Sequence, residues 1–272
     1  MVTYVAMLDV PRHVLEYLSR LLAGQRRIIG TPKGSRAVGT FRQAVLVLRW
    51  FRERACVHCL ARDAGISQAT AYRYLHEGID VLATQARDLH QALEHCKAEG
   101  MSHVVLDGML IGTDRLAGTV LSVTGAHRRV VLGQHARFGG NVQFLSSPDG
   151  SPLWVGDVEP GSTHDLAAAR IHALPALYAA AADGLPTLAD AGYEGAGIGV
   201  HVPVKRPAGK SSEALHADTR TYNALLRGLR ALGERAAAEL KERWRMLKYV
   251  TLSPSRIGDI ARAALVLNQQ WA

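Results

Sequence analysis

Three acidic residues have the side-chain type and the placement needed to bind metal ions. Asp107 and Asp190 each follow a short apolar run, residues 103–106 and 187–189, that we expect to form a buried strand. Glu234 lies inside a long, proline-free helical pattern. Because hard divalent cations prefer oxygen ligands, two carboxylates at strand ends and one from a covering helix predict a two-metal site for phosphoryl transfer.

Each of these acids also has a simpler interpretation. Asp107 and Asp190 are followed within two residues by glycine, which is typical of turns, and Glu234 precedes an arginine with which it could form an exposed ion pair. Arg230 and Lys241 share one helix face with Glu234, because the three are spaced i, i+4 and i+11. An acid between two cations suits a metal ligand beside groups that hold DNA phosphates, and it equally suits a ladder of surface ion pairs.

The segment from about residue 41 to 78 has the pattern of a helix-turn-helix. Gly65 can supply the sharp turn and Ser67 can cap the second helix. Small-residue corners between helices also occur without DNA binding, but in this chain we expect the second helix to enter the major groove. Three of its side chains are expected to face outward and contact DNA: Gln68, Tyr72 and Arg73.

We expect two domains, divided near Gly100. Residues 1–100 have helical patterns throughout, whereas residues 101–272 combine strand patterns with helices, so the fold class is α/β preceded by an all-α domain. A β-hairpin is expected around residues 148–150. The glycine-rich, basic segment 24–39 is expected to be a flexible connector.

Two long helices are expected from their apolar spacing. One covers residues 80–99, and the other covers residues 166–182 with Thr163 as its N-cap. All three cysteines, of which Cys56 and Cys59 form a CxxC pair, are expected to be reduced and buried.

The composition points to a polyanionic partner. The 272 residues carry a formal net charge of +8, which favours nucleic acid first and an anionic membrane surface second. No apolar stretch is long enough to span a bilayer, and the first residues lack the pattern of a secretion signal. We therefore expect a cytoplasmic protein that does not enter a membrane.

Several motifs together resemble the DDE transposases of bacterial insertion sequences, in particular the branch grouped with Harbinger-type DDE endonucleases. The matching segments are LDGMLIGTDR, GGNVQFLSSPDGSPLWVGDVEPGSTHDLAAAR, LADAGYEG, and Arg230-x3-Glu234-x6-Lys241. The related insertion-sequence signature has a tyrosine three residues before the arginine, where this chain has Arg227. A role for that tyrosine is therefore not transferred.

The resemblance implies a ribonuclease H-like mixed sheet and a transposase that binds terminal inverted repeats. Asp107, Asp190 and Glu234 would hold two Mg²⁺ ions, with Mn²⁺ as a substitute, for cleavage and strand transfer. His164 and Asp165 would lie beside this site as second-tier candidates. The implied partners are double-stranded DNA at the repeats and at the target site, and further copies of the chain assembled on DNA in the bacterial cytoplasm.

Two other functions remain open at this stage. A helix-turn-helix transcription regulator without catalysis needs no convergent carboxylates. A DDE-type nuclease without strand joining would use the same metal chemistry as a transposase.

Overall fold

The computed structural model describes residues 8–113, 119–121, 127–129, 138–206 and 215–271. The helices are α1 (Arg12–Ile28), α2 (Thr40–Glu53), α3 (Val57–Ala64), α4 (Gln68–Ala83), α5 (Leu89–Ala98), α6 (Asp165–His172), α7 (Leu174–Ala182), α8 (Ala217–Arg243) and α9 (Ile257–Gln269). The strands are β1 (Val104–Thr113), β2 (Thr119–Leu121), β3 (His127–Arg129), β4 (Phe138–Ser146), β5 (Pro152–Pro160), β6 (Thr187–Leu188), β7 (Val200–His201) and β8 (Tyr249–Val250). None of the helices in these ranges is long and apolar enough to cross a membrane.

The chain forms two compact units. We call them the helical unit, which comprises Met1–Ala86, Lys241–Lys248 and Asp259–Ala272, and the sheet unit, which comprises Arg87–Leu240 and Tyr249–Gly258. These units differ from the division expected near residue 100 in two respects. Helix α5 belongs to the sheet unit, and two segments from the end of the chain belong to the helical unit.

Aromatic packing explains why the last segments join the helical unit. Trp244 packs edge-on against Phe51 at 6.3 Å and against Trp271 at 5.4 Å, and Trp50 packs edge-on against Phe51 at 5.0 Å. Because buried aromatic rings contribute large apolar areas, this cluster holds residues far apart in sequence in one core. Helix α5 instead packs its buried Leu93 and its neighbours into the core of the sheet unit.

The expected turn between α3 and α4 is present. Gly65 ends α3 with a φ of 66°, and Ser67 caps α4 by accepting a hydrogen bond from the Thr70 N–H at 3.2 Å. Glycine adopts this left-handed conformation without steric cost, so the two local signals together fix the corner between the helices. Ala71 and Tyr74 are buried as expected.

Both long helices expected from the sequence are interrupted. Helix α5 starts anew after Asp88, whose carboxylate accepts from the Gln91 N–H at 2.8 Å while the Gln91 side chain accepts from the Asp88 N–H at 3.1 Å. This capping box competes with a continuous helix. Helix α7 starts at Leu174 because Pro175 cannot donate a hydrogen bond to an earlier turn. The N-cap of α6 is His164, so the assignment of Thr163 was wrong.

The mixed sheet expected from the sequence is confirmed, with the strand order β5-β4-β1-β6-β7 and β8 beside β1. Strands β1, β4 and β5 are antiparallel neighbours, whereas β6 and β8 run parallel to β1 and β7 runs parallel to β6. The expected hairpin is the one that joins β4 and β5. The fold class is therefore α/β, with a ribonuclease H-like sheet in a chain whose first elements are helices.

Strand β1 is longer than the apolar run predicts. Its pairing with β4 extends to Thr113↔Phe138, so Asp107 lies inside the strand and not at its end. Pairing with β6 covers Val104 and Val105 alone, so Asp107 lies beyond the part of β1 that has this parallel neighbour. The expectation that the strand ends at Asp107 was wrong, because β4 continues to pair with β1 beyond the residue at which the apolar pattern stops.

Helix α8 packs closely on the sheet at a glycine. A Cβ atom on Gly233 would lie 2.7 Å from Val105 Cγ1 and 2.8 Å from Ser146 Oγ, so a larger residue there would displace the helix. Leu226 lies two helical turns earlier on α8 and forms a small core with Val105 and Leu188. This face of the sheet is covered by α8, and the opposite core contains side chains of α5, α6 and α7.

The role of Gly233 can be tested against a matched glycine on the same helix. Gly233→Ala should lower the unfolding free energy by about 1–3 kcal/mol because its methyl group overpacks the sheet contact. Gly228→Ala should raise it by about 0.5–1 kcal/mol, since no described atom lies within 4 Å of its Cβ position. Urea unfolding followed by circular dichroism measures both values, and equal effects of the two changes would refute the close approach.

Candidate active site

Asp107 lies on β1 in a half-buried position, and its Oδ1 accepts a hydrogen bond from the Gly108 N–H at 2.8 Å. Burial is the main cause that raises the pKa of Asp107 from 3.8 to about 6. The negative charges of Asp190 and Glu234 act in the same direction, whereas the Gly108 N–H and the Arg230 guanidinium act against it. The charges of the two other acids expected at the site therefore act on Asp107.

Asp190 and Glu234 are each held by a local contact. Asp190 follows β6, and its Oδ1 accepts from the Gly192 N–H at 2.8 Å. Glu234 Oε1 accepts from Arg230 Nη2 at 3.2 Å, and the side chain of Glu234 is 58% exposed while that of Arg230 is 8% exposed. The i, i+4 ion pair considered as the simpler interpretation is thus present. It does not isolate Glu234 from Asp107, because both residues of the pair act on the Asp107 charge.

Asp165 lies on the other side of the Asp107 backbone. Its Oδ1 accepts from Asn141 Nδ2 at 2.6 Å, and Asn141 Nδ2 also donates to the Thr163 carbonyl oxygen at 3.0 Å. A Cβ atom on Gly108 would lie 2.2 Å from Asp165 Oδ1, so only glycine leaves room for this carboxylate. The structure therefore brings Asp165 against the strand segment that carries Asp107.

Comparison with family models identifies the chain. The model of the DDE superfamily endonucleases matches residues 106–269, a range that contains all the acids described above. The chain belongs to the DDE superfamily endonucleases. No curated protein matches it significantly. A solved structure of a pre-cleavage Mos1 transpososome matches at 13% identity with a TM-score of 0.18, covering 98% of this chain and 96% of that chain.

Membership of a DDE endonuclease family implies nuclease activity that depends on divalent metal ions. Within the described ranges, no group of three His, Cys, Asp or Glu side chains is arranged closely enough to enclose an ion. The donor chemistry nevertheless fits, because Asp107, Asp190 and Glu234 offer the carboxylate oxygens that hard cations prefer. The raised pKa of Asp107 reflects burial and excess negative charge, which a divalent cation would offset.

A buried chain of hydrogen bonds supports the Asp165 side of the candidate site. Tyr193 Oη donates to Gln143 Oε1 at 2.9 Å, and Gln143 Nε2 donates to Asn141 Oδ1 at 3.4 Å. Burial, followed by the negative charges of Asp165 and two further aspartates, raises the pKa of Tyr193, so its hydroxyl stays neutral. Sequence reasoning missed these residues, although two amides spaced i, i+2 on an otherwise apolar strand were an available signal.

The remaining candidate residues are distributed over both units. The side chain of His164 is exposed and makes no hydrogen bond or ion pair within the described part of the chain. Lys241 belongs to the helical unit, two helical turns beyond Glu234 along α8. On α4 in the same unit, two of the DNA-contact candidates are exposed and Tyr72 is half-buried, 6.0 Å edge-on from the His58 ring. The two exposed candidates are Gln68 and Arg73, so two of the three residues expected to face outward do so fully.

The raised pKa of Asp107 predicts a pH-dependent stability in metal-free buffer. Between the pH values of 3.8 and about 6 the folded chain binds more protons at this carboxyl than the unfolded chain, so stability falls as the pH rises. The full contribution is about 3 kcal/mol, using ~1.4 kcal/mol per pKa unit. Asp107→Asn should abolish this fall and be more stable than the natural sequence at pH 7.5.

Chemical unfolding with EDTA from pH 4 to 8 measures this difference. Asp218→Asn is the control, because it removes one carboxylate charge from a side chain that is 93% exposed. If Asp107→Asn followed the same pH profile as the natural sequence, the electrostatic coupling described for Asp107 would be wrong.

Proposed function

We propose that this DDE endonuclease is the transposase of a bacterial insertion sequence, which cuts and joins DNA with Asp107, Asp190 and Glu234 as ligands of two Mg²⁺ ions. One observation carries the proposal: the pKa of Asp107 responds to the charges of both other acids, although the three come from β1, the segment after β6, and α8. Carboxylates on separate elements whose charges interact are the arrangement that a two-metal phosphoryl-transfer site requires.

Each residue has a role that follows from its contacts. The Gly108 N–H orients the Asp107 carboxylate, and the Gly192 N–H orients that of Asp190. Arg230 orients Glu234 through its 3.2 Å contact and leaves its buried Nε without a partner among the described residues. Divalent ions, when bound, supply the positive charge that lowers the pKa of an attacking water or 3′ hydroxyl and stabilises the leaving oxygen.

The two second-tier residues, Asp165 and His164, have different roles in this proposal. Asp165 is a positioning residue, because its contacts with Asn141 and the Gly108 backbone fix the strand segment that carries Asp107. His164 is exposed at the N-terminus of α6 and is available to a DNA phosphate. Arg230 and Lys241 are proposed to hold phosphates on the helix that carries Glu234.

DNA recognition is assigned to α3 and α4. The Gly65 turn and the Ser67 cap support the proposal that α4 is the second helix of a helix-turn-helix, and its exposed residues include Gln68 and Arg73. The net charge of +8 supports a polyanionic partner. We propose that the ligands are the terminal inverted repeats and the target duplex, bound by a homo-oligomer in the bacterial cytoplasm.

The catalytic assignment predicts a separation of binding from cleavage. Glu234→Gln keeps the shape and the helix propensity of the side chain but removes the charge that holds a divalent ion. The variant should bind a terminal-repeat duplex in Ca²⁺ nearly as tightly as the natural sequence and lose Mg²⁺-dependent nicking by several orders of magnitude. Asp107→Asn and Asp190→Asn should behave in the same way.

Single-turnover nicking with Mg²⁺, beside a binding titration in Ca²⁺, measures both properties. Glu239→Gln, an exposed glutamate on the same helix, is the matched control and should nick normally. Near-normal nicking by Glu234→Gln would remove it from the site. A strand-transfer product from pre-cut ends separates a transposase from a nuclease that does not join strands.

The recognition assignment predicts a loss of affinity from α4. Arg73→Ala should weaken binding to the terminal-repeat duplex by about 1–3 kcal/mol if Arg73 contacts a base edge. Arg12→Ala is the control, because Arg12 is exposed in the same unit and paired with Glu16 at 2.7 Å. Fluorescence anisotropy with a labelled duplex measures both affinities, and an unchanged affinity and footprint for Arg73→Ala would contradict the assignment.

A further inference from the structure

The loop between α1 and α2, residues 29–39, is fixed to α4. Arg36 donates from both terminal nitrogens to the Glu77 carboxylate, at 3.1 and 3.2 Å, and the Ala37 N–H donates to Tyr74 Oη at 2.9 Å. A bidentate pair and a backbone contact hold the loop at two adjacent positions. The expectation that this segment is a flexible connector is therefore not met.

A second layer of hydrogen bonds joins the loop to α1 and α2. Gln43 is fully buried and donates from Nε2 to the Tyr74 carbonyl oxygen at 3.2 Å and to Glu77 Oε2 at 3.1 Å. Arg26 Nη2 donates to Gln43 Oε1 at 2.7 Å and to the Val38 carbonyl oxygen at 3.1 Å. Because these bonds are shielded from water, the loop keeps a fixed position relative to α4.

Two cavities adjoin the loop. One, of about 470 Å³, is lined by Arg26, Arg27, Lys33 and Arg36 together with loop glycines. The other, also of about 470 Å³, is lined by Arg36 and Ile29 from the loop and by Arg73 from α4, together with the acids Glu77 and Asp80. Arg36 belongs to both linings, so the cavity of the loop and the cavity beside α4 are adjacent.

The first cavity carries positive charge that is not compensated. Arg36 is paired with Glu77, but Arg26 is bonded only to neutral oxygens within the described residues. Arg27 and Lys33 are exposed and have no acidic partner in the part of the chain that the structure describes. A concave surface with three uncompensated cations favours an anionic ligand.

We infer that the 29–39 loop binds the phosphate backbone of the same DNA duplex whose groove α4 enters. The inference rests on the proposed function and deepens it by adding a second DNA contact to the helical unit. Duplex DNA fits because the cationic cavity lies on a loop that is bonded to α4, and a recognition helix in the major groove has the phosphates of the flanking strand beside it. Such contacts set the register of the protein on DNA without selecting its sequence.

The test removes the two exposed cations of the first cavity, Arg27 at the end of α1 and Lys33 in the loop. Arg27→Ala with Lys33→Ala should reduce the salt dependence of log affinity by about two units, since each neutralised phosphate contributes ~0.9. The reduction should be equal for a terminal-repeat duplex and a random duplex, so the ratio of the two affinities stays constant. In an ethylation-interference experiment with this variant, ethylating the phosphates beside the half-site that α4 contacts should no longer weaken binding.

The matched control is Arg12→Gln with Lys97→Gln, which also removes two positive charges. Both control residues are already paired with acids, Arg12 with Glu16 and Lys97 with Glu94 and Asp183. The salt dependence of DNA binding by this control variant should therefore stay near that of the natural sequence. Circular dichroism confirms that all variants are folded.

The outcomes separate this inference from the proposed function. An unchanged slope and footprint in the loop variant, with steep salt-dependent binding by the natural sequence, would overturn the loop contact and leave the transposase assignment intact. A loss confined to the terminal-repeat duplex would also overturn it, because that result indicates base contacts. A flat salt dependence of the natural sequence itself would overturn both.

Discussion

Helix α8 can lie on β1 because residue 233 has no side chain, and the rest of the candidate site depends on that contact. The neighbouring residue is Glu234, so the distance between helix and sheet also sets how strongly its charge acts on Asp107. Protein interiors transmit small displacements because they are close-packed. A methyl group at residue 233 would therefore move the exposed Glu234 carboxylate as well as the contact between α8 and Val105.

Asp107 shows that the site is not arranged for stability. A half-buried carboxylate near two other acids is unfavourable in its ionised form, and the Gly108 N–H and the Arg230 guanidinium oppose this cost. Functional sites commonly keep such unfavourable groups, and the surrounding structure must hold them in place. Here the support comes from paired strands on one side and from the buried amides Asn141 and Gln143 on the other.

The sequence predicted the elements whose signals are local. Apolar runs located β1 and β6, and the turn residues between β4 and β5 located the hairpin. Gly65 and Ser67 located the corner between α3 and α4, because a left-handed glycine and a capping hydroxyl act within one turn. The three acids could be proposed for the same reason, as each stands in a recognisable local pattern.

Features that depend on distant partners could not be predicted in this way. The length of β1 is set by β4, so Asp107 is inside a strand whose apolar pattern has already ended. The division into units depends on Trp244 meeting Phe51, and no local pattern records that contact. The anchored loop likewise depends on Glu77 and Gln43, which are charged and polar residues that a periodicity argument assigns to the surface.

The hydrogen bonds from Tyr193 to Asp165 all run in one direction. A neutral phenol donates to the oxygen of Gln143, which leaves the amide nitrogen of Gln143 to face the oxygen of Asn141, and the nitrogen of Asn141 then faces the carboxylate. Reversing either buried amide would place two donors or two acceptors against each other. The orientations of these buried side chains are therefore not independent, and the four residues behave as a single polar unit whose negative end, the Asp165 carboxylate, lies at Gly108.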